Sequence, residues 1–281
     1  MKILYISKAE GADYLCDMIF HGLRSLFGPD VVDVNKIHFM YKGTPYPPFF
    51  TVYGNLSEIE VDRTDISRKI QTQYFDMIVY GSIQRCQSYL DEVCSTYPAH
   101  RIAFLDGEDD NVICSVRGRG LYFKRELDVP DTDLLPIQFC IPKEKILPEI
   151  PPKTRLMSLL NPADRTTYTY YASEAVYYQQ YAESYFGRTM KKGGWDCCRH
   201  YEIIAAGCLP YFENLESCPP RTLGFLPKNN LLHARIMHDT WEQMDQRYDI
   251  WLELMLKVQE SLRAHLTTEA MARYLVERVM A

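Results

Sequence analysis

Lys191-Lys-Gly-Gly-Trp-Asp-Cys-Cys-Arg-His-Tyr-Glu-Ile-Ile-Ala-Ala-Gly-Cys-Leu-Pro-Tyr-Phe212 reads as a glycine-bearing loop, a short helix, a glycine stop and a buried strand. The helical pattern runs from Asp196 to Ala206, and Gly207 supplies the stop. Leu209 opens an apolar run in which Pro210 stands near the start, where a missing backbone donor is tolerated. A glycine-rich loop at a helix N-terminus offers free N–H groups and the positive end of the helix dipole, which suits phosphate. Lys191, Lys192 and Arg199 add positive charge, and Glu202 follows Arg199 at i+3. Cations for a diphosphate and a carboxylate for ribose hydroxyls are the parts a nucleotide diphosphate needs. The same residues also read as a basic surface loop leading into a helix–turn–strand unit.

Upstream and downstream of this stretch the chain alternates strand and helix. Residues 2–7 form an apolar run of the kind buried on both faces of a parallel sheet. Residues 14–27 carry a helical stripe through Leu15, Met18, Ile19, Leu23 and Leu26, stopped by Gly28-Pro29. Strand 31–34, helix 65–73, strand 74–80, helix 86–97 and strands 101–105 and 134–141 continue the pattern. Residues 142–152, rich in Pro, Lys and Glu, read as an interdomain linker. A second alternation follows: strand 155–160, helix 173–185, then the central stretch. Tyrosines 177, 178, 181 and 185 within that helix read as core. A proline-rich loop spans 216–227, Asp239 with Glu242 suggests a capping box for a long helical region, and Thr267 or Thr268 restarts a last helix. The expected fold class is α/β: two Rossmann-like domains, 1–148 and 149–281, facing a central cleft.

The chain's 281 residues allow about two domains. With 47% hydrophobic and 24% charged residues it has the composition of a globular protein with ample core. Its net charge of -6 argues against wholesale wrapping of nucleic acid, so we expect no nucleic-acid partner. No window has the length of a membrane span, and the N-terminus is too short and strand-like for a signal peptide. The nine cysteines show no metal-type pair spacing; Cys197 and Cys198 are adjacent. Reduced thiols in a cytoplasmic protein are the expected state.

Ligands of open parallel sheets bind beyond the carboxyl ends of the strands. That directs attention to the turn containing Asp13, to Gly81-Ser82, and to the acidic run 106–110 with Asp106 and Glu108. Asp13 reads equally as the N-cap of the first helix, and the acidic run as a solvated turn. His21 falls within a helix and reads as structural. Residues 36–58, rich in aromatics and broken by Pro and Gly, could offer an acceptor platform or pack onto their own domain.

The run from Lys192 to Phe212, with Arg199-x-x-Glu202 and Gly207-Cys-Leu-Pro210, resembles the signature of exostosin-like and related GT-B glycosyltransferases. The likeness extends more loosely to 122–126 and 5–35, and is nearest to the short, soluble glycosyltransferases of large algal DNA viruses. The resemblance implies a UDP-sugar donor, xylose being a candidate sugar, held by the C-terminal domain and passed to a glycan or glycoprotein hydroxyl. It implies that Glu202 binds the ribose, that Arg199 meets the diphosphate, and that Gly193 and Gly194 let backbone approach the phosphates. Lys192 and Asp196 complete the donor-side set. The two-glutamate pattern of retaining relatives would place a carboxylate where Gly194 stands, which points to inversion with a base on the N-terminal domain. Asp13 is the first choice for that base, then Glu108 and Asp106. No metal or other cofactor is expected, and the short length suggests a trimmed acceptor domain. The alternatives are a sugar-nucleotide-processing enzyme such as an epimerase, weakened by the lack of a Gly-x-Gly-x-x-Gly turn, and a non-catalytic carbohydrate-binding or scaffold protein. A DNA-base glucosyltransferase would want a basic groove, and the overall acidity counts against it.

Overall fold

A computed structural model describes residues 1–44, 53–128, 131–167 and 173–281. The first unit runs β1 (Ile3–Ile6), α1 (Tyr14–Phe27), β2 (Val31–Asp33), α2 (Ile66–Gln71), β3 (Met77–Tyr80), α3 (Leu90–Thr96), β4 (Ile102–Asp106), β5 (Leu121–Lys124) and β6 (Leu134–Pro136). Its strands lie in the order β2-β1-β3-β4-β5-β6, every neighbouring pair parallel. β1, β3 and β4 are buried along their whole length, which is why they read as unbroken apolar runs. Successive residues alternate between two cores: Ile3 and Tyr5 face α1, while Leu4 and Ile6 face the side of α2 and α3. From β1 the chain steps outward to β2 and returns to place β3 on β1's other flank. A crevice therefore opens between the carboxyl ends of β1 and β3.

The second unit runs β7 (Arg155–Met157), α4 (Glu174–Ala182), β8 (Ser184–Thr189), α5 (Cys198–Ala205), β9 (Leu209–Phe212), α6 (Lys228–Asp239), α7 (Arg247–His265) and α8 (Thr268–Met280). Its sheet is β7-β8-β9, all parallel. Several expected boundaries move. The helix expected over 173–185 stops at Ala182, and Ser184–Thr189 becomes the central strand of the second sheet. Tyr185 keeps the helical spacing of the tyrosines before it but packs against Trp251 at 5.0 Å, a partner 66 residues away that periodicity does not reveal. Asp239 closes α6 and caps nothing; α7 begins after Gln246, whose φ is 51°. Thr267 does cap α8, accepting from the Ala270 N–H at 3.1 Å. Among the described residues the first sheet has six strands and the second three.

This is a GT-B-like arrangement of two Rossmann-like units, because the loops at the carboxyl ends of β4 and β5 meet the loop leaving β8. The units also share a core. After β6 the chain stays extended, and Ile141 exchanges backbone hydrogen bonds with Leu266 and Thr268, both at 3.0 Å. α8 then returns to the first unit and lies on α1 so closely that a Cβ on Gly22 would strike the Thr268 carbonyl. His21 bonds the Thr268 hydroxyl at 2.9 Å, and burial lowers its pKa, so it is the structural histidine its position suggested. One continuous apolar cluster consequently joins β1 and α1 to β8, β9, α5 and α7. Among the described residues no helix is long and apolar enough to cross a membrane.

Candidate functional site

At the β1/β3 crevice a cavity of about 40 Å³ is lined by Ser7, the 8–11 turn, Asp13, Cys16, Asp17, Ser82 and Arg85. Asp13 caps α1, accepting from the Cys16 N–H at 3.4 Å, and pairs with Arg85 at 3.2 Å. Arg85 also takes Glu108 at 2.7 Å, so the guanidinium draws together two of the three carboxylates expected to supply a base. The third does not reach the crevice. Asp106 is buried and accepts from Lys124 Nζ (2.9 Å), Gln84 (3.1 Å), the Glu108 N–H (3.1 Å) and the Tyr122 hydroxyl. A carboxylate so saturated organises its loop and has no lone pair to offer a substrate, which corrects its place among the bases.

The seam between the units is built on Arg125, just after β5. Its Nε donates to the Gly107 carbonyl, one terminal nitrogen to Glu126 and to the Asp196 carbonyl, each at 2.9 Å, and the other to Asp109. Glu126 in turn accepts the Asp196 N–H at 2.9 Å. The Asp196 carboxylate accepts from the Phe139 N–H and the Tyr201 hydroxyl, both at 2.6 Å. Burial pushes the Asp196 carboxyl up to about 6 against the pull of Arg125. Asp196 is therefore a seam residue, enclosed and fully occupied, and not the donor contact expected of it. The glycine pair is corrected for the same reason. A Cβ on Gly193 would strike the Asp109 carboxylate, and one on Gly194 would meet Asp109 at 2.8 Å and Glu126 closer still. The glycines let the loop approach two carboxylates of the first unit, and a diphosphate against that backbone would meet like charge.

The cations gather on the other side of the loop. Arg199, in the first turn of α5, donates from Nε to Thr189 Oγ1 at 3.2 Å. Thr189 Oγ1 lies 2.8 Å from His200 Nδ1, and His200 Nε2 lies 2.8 Å from the Trp195 carbonyl. A carbonyl can only accept, so Nε2 carries the hydrogen and Nδ1 accepts from the threonine. Burial lowers the His200 pKa to about 3, keeping the ring neutral in this relay. The order Arg199→Thr189→His200→Trp195 fixes the guanidinium at the end of β8. Lys192 donates to the Pro162 carbonyl, and its pKa is lowered by burial and then by the positive charges of Arg199 and Arg165. Arg199 at the start of α5 and Arg165 in the loop after β7 thus both act through space on Lys192 in the loop after β8. Glu202, one turn beyond Arg199, accepts from Tyr177 at 2.8 Å and Tyr178 at 3.5 Å. The tyrosine stripe is core, as expected, at Tyr181 and the Tyr177 ring; its hydroxyls also orient Glu202. Among the described residues no three His, Cys, Asp or Glu side chains gather as a metal-holding group.

No family model matches the chain, and no curated protein matches it. Two solved structures are similar over its whole length. One is an alpha-glucosyltransferase in complex with UDP and a 13-mer DNA containing a central A:G mismatch, 10% identical, covering 99% of each chain with a TM-score of 0.48. The other is an alpha-glucosyltransferase in complex with UDP and a 13-mer DNA containing a HMU base, also 10% identical, covering 100% of each chain with a TM-score of 0.48. The expectation of no nucleic-acid partner is withdrawn on this finding, since both structures hold DNA beside UDP. A net charge of -6 is a sum over the chain and does not by itself exclude a local basic groove.

Sequence reading missed three groups that the fold brings into place. Arg165 follows an irregular stretch with no periodic signal. Arg125 falls within the 122–126 stretch of the likeness, which gives it no role; its own signal is weak, an arginine directly after an apolar run that ends a strand. Asp17 sits in the first turn of α1, where an acidic residue reads as a dipole partner; the fold buries it and brings the Tyr53 hydroxyl to donate to it at 2.7 Å. Of the aromatic platform expected over 36–58, Phe39 and Tyr53 pack edge to face at 4.7 Å, and residues 45–52 lie outside the described residues.

Proposed function

We propose that the chain is a glycosyltransferase that moves a sugar from a UDP-sugar to an acceptor hydroxyl, with the donor's diphosphate held by Arg199, Lys192 and Arg165. What carries the reading is that Arg199 is anchored on Thr189 at the end of β8 and Lys192 on Pro162 in the loop after β7, with Arg165 acting on Lys192 from that same loop. A bound diphosphate relieves their mutual repulsion, accepts from the N-terminus of α5, and takes leaving-group charge without rearrangement. Glu202, oriented by Tyr177 and Tyr178, accepts from the ribose hydroxyls. The acceptor enters from the β1/β3 crevice of the first unit, where carboxylates supply the base. A carboxylate on that side, and a glycine at 194 where a retaining relative of the two-glutamate type would carry glutamate, favour an inverting displacement. The diphosphate needs no divalent ion in this scheme.

The test is a thermal-shift and donor-hydrolysis panel across UDP-, GDP- and dTDP-sugars, with UDP-xylose and UDP-glucose among the donors. Stabilisation follows RT ln(1 + [L]/Kd), so the matching nucleotide stands out. Arg199→Ala should weaken UDP at least tenfold by the ~1.5–3 kcal/mol of a charge-assisted bond. No response to any UDP compound sinks the assignment. An acceptor panel should contain oligosaccharides, a glycoprotein and hydroxymethylated DNA.

A further inference from the structure

The cavity at the β1/β3 crevice contains two groups the fold leaves uncommitted. Ser7 is 2% exposed, and its hydroxyl has no nitrogen or oxygen partner among the described residues, only the Cys16 sulfur beside it. Asp17 is equally buried, and both of its hydrogen bonds, from Tyr53 (2.7 Å) and the Asp13 N–H (2.9 Å), fall on Oδ2. Its Oδ1 has no hydrogen-bond partner among the described residues. An unpartnered hydroxyl costs stability in a packed core, whereas the Asp17 Oδ1 is not among the sealed, unpartnered atoms and keeps its lone pairs for what enters the cavity. The cavity that both line, about 40 Å³, has room for a water or a hydroxyl group and not for a sugar ring.

From this geometry we infer that Asp17, not Asp13, accepts the proton of the incoming hydroxyl, while Ser7 holds that hydroxyl in the cavity. The assignment rests on the glycosyl-transfer reading above. Asp13 is committed to capping α1 and to Arg85, whereas Asp17 presents a free lone pair. In the step, the acceptor O–H bond breaks and its proton passes to Asp17 Oδ1. The oxygen's electron pair forms the bond to the anomeric carbon, the bond to the diphosphate oxygen breaks, and that electron pair leaves with UDP. Asp17 must start ionised. The groups facing it are Asp13, Arg85 and Tyr53, with Cys16 beside the cavity and Glu108 joined through Arg85. Burial dominates and lifts its carboxyl to about 8, placing it in the range where a base is strong yet still ionises.

The experiment is UDP release from UDP-glucose and UDP-xylose with water as the acceptor, followed from pH 5.5 to 9. The unaltered chain should gain about tenfold per pH unit and level off near pH 8. Asp17→Asn preserves both accepted hydrogen bonds and should lose ~100-fold or more in turnover while its UDP-induced thermal shift is unchanged. Ser7→Ala removes no polar partner and should cost roughly three- to tenfold in turnover with the same melting temperature. A flat pH profile overturns the assignment, as does full turnover in Asp17→Asn or a larger loss in Asp13→Asn. If Asp17→Asn does not fold, the pH profile and Ser7→Ala decide. UDP binding with these outcomes reversed refutes only the residue assignment, whereas absence of UDP binding by the unaltered chain refutes the glycosyl-transfer reading with it.

Discussion

Replacing Arg125 by Met tests whether the two units are held by the charges at their seam. The guanidinium is almost wholly buried, and the substitution keeps its bulk over the Phe139 ring, 4.5 Å away, while deleting the cation. Bonds to the Gly107 and Asp196 carbonyls and to Glu126 are lost together. Asp109 adds little, because its side chain is 57% exposed and water screens it. Glu126 and Asp196 are left as buried carboxylates without their cation, a situation that costs about 3–5 kcal/mol. The loss should depend on pH. Burial already raises Asp196 to about 6, and Arg125 is the first of the groups holding it down. Without Arg125 its folded pKa climbs further above the unfolded value near 3.9, so the folded variant binds a proton that the unfolded chain does not. Stability of the variant then recovers as pH falls, by about 1.4 kcal/mol for each unit of extra shift, and an adjacent Asp–Arg pair typically accounts for 1–3 units. Urea unfolding at pH 8 and pH 5 reads both quantities. A loss below about 1 kcal/mol at pH 8, or one equal at the two pH values, would refute the view of Arg125 as the seam's counter-charge.

Gly22→Ala drives a methyl into the Thr268 carbonyl, so calorimetry should show a destabilisation of about 2 kcal/mol or more, with UDP affinity unaffected. His200 is neutral when folded, its pKa lowered to about 3. Below pH 6.5 the unfolded chain takes up a proton that the folded one refuses, so the stability advantage of the native chain over His200→Gln should shrink by up to about 1.4 kcal/mol per pH unit as pH falls from 6.5 toward 4. An advantage that does not change with pH would mean that the folded ring takes up its proton as readily as the unfolded one, and would refute the neutral relay. Lys192 is depressed by burial and then by its cationic neighbours, so titration calorimetry should find that UDP binding takes up protons at alkaline pH and weakens as pH rises through the lysine's lowered pKa. Lys192→Met should abolish that uptake. EDTA should leave UDP release unchanged; loss with recovery on adding Mg2+ or Mn2+ would redirect attention to the acidic 106–110 turn.

Much of the first unit was legible because its strands are buried on both faces. Such strands must be apolar throughout, and α1 between two of them must be amphipathic with a cap at Asp13 and a stop at Gly28. Asp13 was also legible in its ordinary role as an N-cap. β8 was not, because Ser184–Thr189 is polar and aromatic, follows a helix of tyrosines at the same spacing, and owes its burial to α7. α6 escaped for a related reason: only Leu231, Ala234 and Met237 of its twelve residues are buried.

The stretch 191–212 shows the same division within one segment. Local propensity alone dictates its loop, helix, glycine stop and strand, since Gly207 takes φ 71° and the apolar residues of α5 have nowhere to go but inward. Which side of the loop takes a ligand depends on what the rest of the chain brings to it. Carboxylates of Asp109 and Glu126 arrive against Gly193 and Gly194, while Arg165 and Thr189 arrive beside Lys192 and Arg199. Charge acts through space and not along the chain, so the sequence by itself determined that the loop is close-fitting and cationic, and only the packing of two units decided which face keeps its positive potential.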